Sequence, residues 1–178
     1  MRTPRSVAVA VVLAAGLIAA GCGSDEDPTT AWANDVCSAV STWRGEITGI
    51  VDALAAGQVT RDDLAAHVET AKDATDTLVS DLEALGPPET EGGDEAQDAI
   101  GELAAGLRTD VETIETAFDE ASGVSGLVNA VSVGASTLGA MGTKITTTVD
   151  ELRALDVGGE LQDAFEQASA CDELRSSG

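Results

Sequence analysis

Three cysteines carry most of the chemistry that can be read in this chain: Cys22, Cys37 and Cys171. A thiol can be joined to lipid, oxidised to a disulfide or deprotonated to hold a metal. Cys22 ends the string Ile18-Ala19-Ala20-Gly21-Cys22 and closes an apolar run. The small side chains before it leave the backbone open to a peptidase, and cleavage there would present its thiol at a new N-terminus. Cys37 and Cys171 stand near the two ends of what remains and form an even pair. A zinc site is not expected, because two cysteines and the single histidine, His67, show no close ligand spacing.

The segment before Cys22 has the parts of a secretory signal: Arg2 and Arg5 as a charged start, then an uncharged stretch from Val7 to Ala20. That stretch is about 14 residues, short of the roughly 20 needed to span a bilayer. Ala19-Ala20-Gly21-Cys22 resembles the lipobox of bacterial lipoproteins, with Ala19 where Leu is commonest. The resemblance implies that residues 1–21 are removed and that Cys22 carries diacylglycerol. Two acyl chains or more make a stable anchor, whereas one holds only marginally. Two other readings stay open: an ordinary cut near Ala20 that leaves a free thiol, and an uncut leader that serves as a short anchor. Parity favours lipidation, since an odd cysteine is a liability in an exported protein.

The expected organisation is a signal peptide over 1–21, an acidic linker over 22–30 that carries the anchor, and a folded domain over 31–178. All 32 acidic residues follow Cys22, and seven of the nine basic ones do, so the processed chain carries a net −25. That charge excludes nucleic acid, whose binding is driven by cations that neutralise phosphates. It also disfavours lying flat on an anionic membrane. The eight residues from Gly23 to Thr30 reach at most about 28 Å, which keeps the domain close to its membrane.

The domain reads as all-α. Apolar residues recur at three- and four-residue steps over 31–56, 60–85, 93–122 and 124–155, with a shorter pattern over 160–174. Thr60 is a good N-cap with Asp62 and Asp63 in the first turn, and Gly86-Pro87-Pro88 is a stop. Helices of this length joined by short turns predict an up-down four-helix bundle with a short fifth C-terminal helix. The fifth would fold back beside the first and bring Cys171 to Cys37. Oxidation outside the cytoplasm would then close the pair, with two unpaired thiols as the alternative.

No catalytic string is found, neither a nucleophile elbow nor a phosphate loop nor a calcium loop, so neither an enzyme nor a cofactor is expected. His67 with Asp63 one turn before it can pair locally, but a dyad of that kind is not a site. The run Thr146-Thr147-Thr148 reads as an exposed turn of helix without chemistry. Trp32 and Trp43 share one helical face; core packing is the default and an exposed aromatic strip the alternative. The oddest stretch is Ala121–Thr143, 23 residues without a charge and with Gly123, Gly126, Gly134, Gly139 and Gly142. Each interior glycine costs a helix about 1 kcal/mol relative to Ala. The default is a central helix buried on most sides. One alternative is an apolar groove lined by small residues that admits a lipid or another hydrophobic ligand; the other is membrane insertion, for which Ser122, Ser125, Asn129, Ser132, Ser136 and Thr137 make it a poor segment.

Taken whole, the chain resembles small secreted actinobacterial lipoproteins that carry a helical domain with one cysteine near each end. The anchor, the short linker and the missing chemistry lead to the expectation of a non-catalytic binding or structural module, held by lipid at the outer face of the cell membrane, with a protein or hydrophobic ligand as partner. The alternative is a carrier of a hydrophobic small molecule that uses the glycine-rich fourth helix.

Overall fold

The computed structural model describes residues 27–55, 60–155 and 158–176. The leader and Cys22 lie outside the described residues, and so does the expected cleavage site. Among the described residues the chain is all-helical: α1 (Pro28–Ala55), α2 (Arg61–Leu85), α3 (Gly93–Asp119), α4 (Gly123–Ala154), α5 (Glu160–Gln167) and α6 (Ser169–Ser176).

The first helix starts earlier than the sequence indicated, because Pro28 initiates it. A proline at the first helical position gives up no useful N–H, and the Asp27 carboxylate accepts from the backbone N–H of Thr29 and Thr30 at 3.0 and 3.3 Å. The expected acidic linker therefore loses its last three residues to α1. At α2 the expected cap is present as a full capping box. Thr60 Oγ1 accepts from the Asp63 N–H, and the Asp63 carboxylate accepts from the Thr60 N–H. The start of α3 is set by a close approach: a Cβ on Gly93 would collide with the Pro88 carbonyl oxygen, so only glycine fits.

The long helices pack on their neighbours in chain order, and their contacts run antiparallel. Trp32, near the start of α1, donates from Nε1 to the Gly86 carbonyl just past α2 at 2.9 Å. Ion pairs Arg108–Glu83 at 2.8 Å and Lys72–Glu115 at 3.3 Å bridge α2 and α3. Lys144–Asp110 at 2.7 Å bridges α3 and α4. The shared core holds Val36, Trp43, Leu78, Leu107, Met141 and Phe165. Both tryptophans are buried, so the exposed aromatic strip is overturned. The physical reason is that each indole N–H finds a partner on or just past α2, which lets the ring leave water without an orphan donor.

The expected single fifth helix is two. Ala168 is extended (φ −68°, ψ 116°) and bends the chain between α5 and α6. The new N-terminus of α6 is capped from another helix: Asn34 Oδ1 of α1 accepts from the Ala170 N–H at 3.0 Å and from Ser169 Oγ at 3.2 Å. The break brings Cys171 to Cys37 in a disulfide with Cα atoms 5.1 Å apart. Phe165 of α5 meets Trp32 edge to face, with ring centroids 6.0 Å apart.

The fourth helix is not the enclosed central rod that its composition favoured. It buries one seam, which includes Ala130, Leu138, Met141, Ile145 and Leu152, mainly against α3. Its outer face is open, with Val124 80% and Val128 64% exposed. By length and composition alone α4 would suffice to cross a membrane. The openness has a simple cause: α1 and α4 hardly touch directly, and the α5–α6 segment fills only part of the gap between them.

Candidate functional site

The unfilled part of that gap is a groove of about 640 Å³ between α1 and α4. Its floor is the back of the core, formed by Val40, Trp43 and Ile47 from α1 and Ile145 and Val149 from α4. Trp43 already spends its N–H on Thr75 Oγ1 at 3.1 Å, so the ring can offer carbon to the groove without an unpaired donor. The α4 rim is built from Gly139, Gly142, Thr143 and Thr146. An added Cβ on Gly139 or Gly142 would meet nothing within 4 Å, so these glycines open the rim and do not serve close helix packing. The threonine hydroxyls turn back on their own helix: Thr143 Oγ1 donates to the Gly139 carbonyl at 3.0 Å and Thr146 Oγ1 to the Gly142 carbonyl at 2.9 Å. That back-bonding satisfies their polarity locally and leaves the rim less polar than its residue names imply.

Where α5 and α6 enter, the groove meets charge. Arg44 of α1 donates to the Leu174 carbonyl of α6 at 3.4 Å. Arg153 of α4 pairs with Asp150 at 3.0 Å and places its guanidinium 5.4 Å from the Phe165 ring centroid. Among the described residues the charged ones of the lining are Arg44, Arg153 and Asp150. The other large depressions carry carboxylates. One of about 590 Å³ between α3 and α4 carries Glu112 and Glu120, and one of about 300 Å³ between α1 and α2 carries Glu46, Asp73 and Asp81.

A second apolar space lies inside the helices around Gly134, Leu64, Phe118 and Ala130, but at about 30 Å³ it is a packing void with room for about one water. Gly126, Ala130 and Gly134, four apart on one face, turn toward this end of the core and the α3–α4 corner: a Cβ on Gly126 would lie 3.1 Å from Ala121 backbone atoms, and one on Gly134 would lie 4.0 Å from Ile114 Cγ2. Gly126 and Gly134 thus sit against neighbours at one end of α4, while Gly139 and Gly142 open the rim farther along.

Among the residues singled out in the sequence, Cys37 and Cys171 are joined, and Cys22 lies outside the described residues. His67 is half-buried beside the void. Asp63 turns to Thr60: the Thr60 hydroxyl and backbone N–H hold its carboxyl below the usual range, and His67 adds only a small attraction. No group of three or more His, Cys, Asp or Glu that could hold a metal occurs among the described residues. The sequence reading missed Arg44 and Arg153, and it left the threonine run without a role, although Thr146 and Thr147 line the groove. Two arginines more than 100 positions apart give no spacing signal; their rarity in so acidic a chain was the available hint.

No protein-family model, curated protein or solved structure matches the chain.

Proposed function

We propose that this protein is a non-catalytic binding module of the cell envelope, an up-down four-helix bundle held at the outer face of the membrane by lipid on Cys22. In this reading the α1–α4 groove takes a hydrophobic small molecule. One observation carries the ligand half of the proposal: an apolar groove of about 640 Å³, within the roughly 300–1,000 Å³ of small-molecule sites. The anchor half rests on Ala19-Ala20-Gly21-Cys22 after an apolar leader.

The two halves are tested separately. Growth with a clickable fatty acid should label the wild type and leave Cys22→Ala unlabelled; labelling that survives the substitution rejects the anchor. Protein purified from its membrane and extracted with organic solvent should release a hydrophobic compound in stoichiometric amount by mass spectrometry, and Gly142→Leu protein should release far less. Equal release from both would reject the groove as its place.

A further inference from the structure

We infer that the bundle lies on its own membrane along α4, with the uncharged face of that helix, from Val124 to Gly139, against the headgroup boundary of the bilayer. The inference rests on the lipid anchor of the proposed function and adds the surface that meets the lipid.

The composition of α4 and its burial disagree. An 18-residue window of the helix is apolar enough to cross a bilayer, yet only 17% of it is buried in the fold. Val124 at 80% and Val128 at 64% are the most exposed of the large apolar side chains among the described residues. At helical spacing the line through them continues over Ala135 to Gly139, Gly142 and Thr146 on the rim of the groove. It is a second seam, beside the buried one at Leu138, Met141, Ile145 and Leu152. Ser125, Asn129, Ser132 and Ser136 interrupt the apolar residues, so this face suits the polar boundary of a bilayer and not its hydrocarbon centre.

Charge selects the occupant. No charged residue occurs from Ala121 to Thr143. The next residue, Lys144, is paired with Asp110. The neighbouring depressions carry Glu112 and Glu120 between α3 and α4, and Glu46, Asp73 and Asp81 between α1 and α2. The net charge that disfavours lying flat on anionic lipid therefore sits on other faces, and α4 can approach a lipid surface without burying a carboxylate. A second copy would bring its own net charge of −25 to the contact, whereas zwitterionic lipid brings none.

The tether allows this posture. Five residues separate Cys22 from Pro28, a reach of at most about 21 Å. Pro28 and Ala154 lie at one end of the bundle: Trp32 bonds to Gly86 there, and a Cβ on Gly92 would lie 3.4 Å from Leu155. An upright bundle would hold Val124 about 48 Å farther from the lipid than Ala154. A recumbent one covers the exposed valines and turns the groove mouth toward the bilayer, so that a hydrophobic ligand passes between them without crossing water.

The test uses full-length protein purified with its anchor and reconstituted in phosphatidylcholine vesicles. One fluorophore is attached through Ser132→Cys on α4 or through Thr77→Cys on α2, both exposed positions. Nitroxides on the lipid chains quench a fluorophore that they approach. The Ser132 label should be quenched strongly and the Thr77 label little. Val124→Glu with Val128→Glu alters two exposed side chains, so the fold should persist while quenching at Ser132 falls to the Thr77 level. Phosphatidylglycerol in the vesicles should weaken the Ser132 quenching, and added salt should restore it. Quenching that strengthens with phosphatidylglycerol would mean that cations hold the domain down, and would overturn the choice of the uncharged face. Equally weak quenching of both labels, in protein that floats with the vesicles, overturns the inference and leaves the anchor standing. Label self-quenching that grows with protein density, without quenching by lipid, assigns the face to a second copy and overturns it as well. Protein that does not float with the vesicles removes the anchor and the inference together.

Discussion

Trp43 and Thr75 are joined by a hydrogen bond across the α1–α2 interface: the indole Nε1 donates to Thr75 Oγ1 at 3.1 Å, and that hydroxyl donates onward to the Ala71 carbonyl at 2.8 Å. Both residues are buried, with Thr75 1% exposed. Thr75→Val keeps the shape and strands the indole N–H away from water, which should cost about 1–3 kcal/mol. The urea midpoint should fall with an unchanged slope, and Thr75→Ser should fall less. A Val variant as stable as the wild type would show that the indole finds another partner.

The disulfide closes a loop of 134 positions. Replacing both cysteines, Cys37→Ser with Cys171→Ser, should lower stability by about 2–5 kcal/mol. Reductant should bring the wild type down to the level of the double variant and leave the variant itself unmoved. Calorimetry with and without reductant measures both effects.

Two glycines predict opposite signs. Gly93→Ala should destabilise by about 1–3 kcal/mol, because the new methyl meets the Pro88 carbonyl at the start of α3. Gly134→Ala should stabilise by about 1 kcal/mol, because a methyl there finds Ile114 at an ordinary 4.0 Å and the helix gains propensity. Thermal unfolding of both variants beside the wild type decides the matter; shifts of the same sign would refute the packing described at one of the two positions.

The capping box at Thr60 sets a pH dependence. Asp63 has its pKa lowered from 3.8 by the Thr60 hydroxyl and backbone N–H. A depressed carboxyl stabilises the fold at pH values above its ordinary range, and that contribution is lost as pH falls through the folded value. Protection at the first-turn amides of α2, measured as exchange relative to the intrinsic rate at each pH, should therefore fall in acid in the wild type. Asp63→Asn should exchange faster at neutral pH and show no further acid step at this site. Carboxyl carbon shifts in a pH titration give the direction of the pKa independently.

At the groove, Gly142→Leu should leave the fold intact, since the added side chain enters open space and interior helix propensity improves by about 0.8–1 kcal/mol. The same change should remove quenching of Trp43 by an added hydrophobic probe whose chain carries bromine, which quenches an indole it touches. A variant that melts like the wild type or higher and no longer quenches separates loss of the site from loss of the fold. Quenching that persists would place the ligand elsewhere.

Much of this architecture is legible in the sequence. The four long helices follow apolar spacing, Thr60 and Gly86-Pro87-Pro88 mark two ends, and cysteine parity pairs Cys37 with Cys171. What escaped detection has a common cause: tertiary partners that no local pattern encodes. Ala168 breaks the last helix because Asn34, far away in α1, caps the new end. The open face of α4 depends on how far α5 and α6 intrude beside it, which periodicity does not record. The uncharged residues of α4 stand out in the sequence, yet composition alone does not distinguish a buried rod from the rim of a groove.

The position of the cross-link also decides how the molecule carries force. Tension applied through the N-terminal end enters α1 at Pro28 and reaches Cys37, where it is shared with Cys171. Between those cysteines the chain is a covalent ring, so a pull applied between the two ends of the chain extends only what lies outside it, including the first nine residues of α1. A bundle stretched by its two ends would give at its collar and keep its body shut.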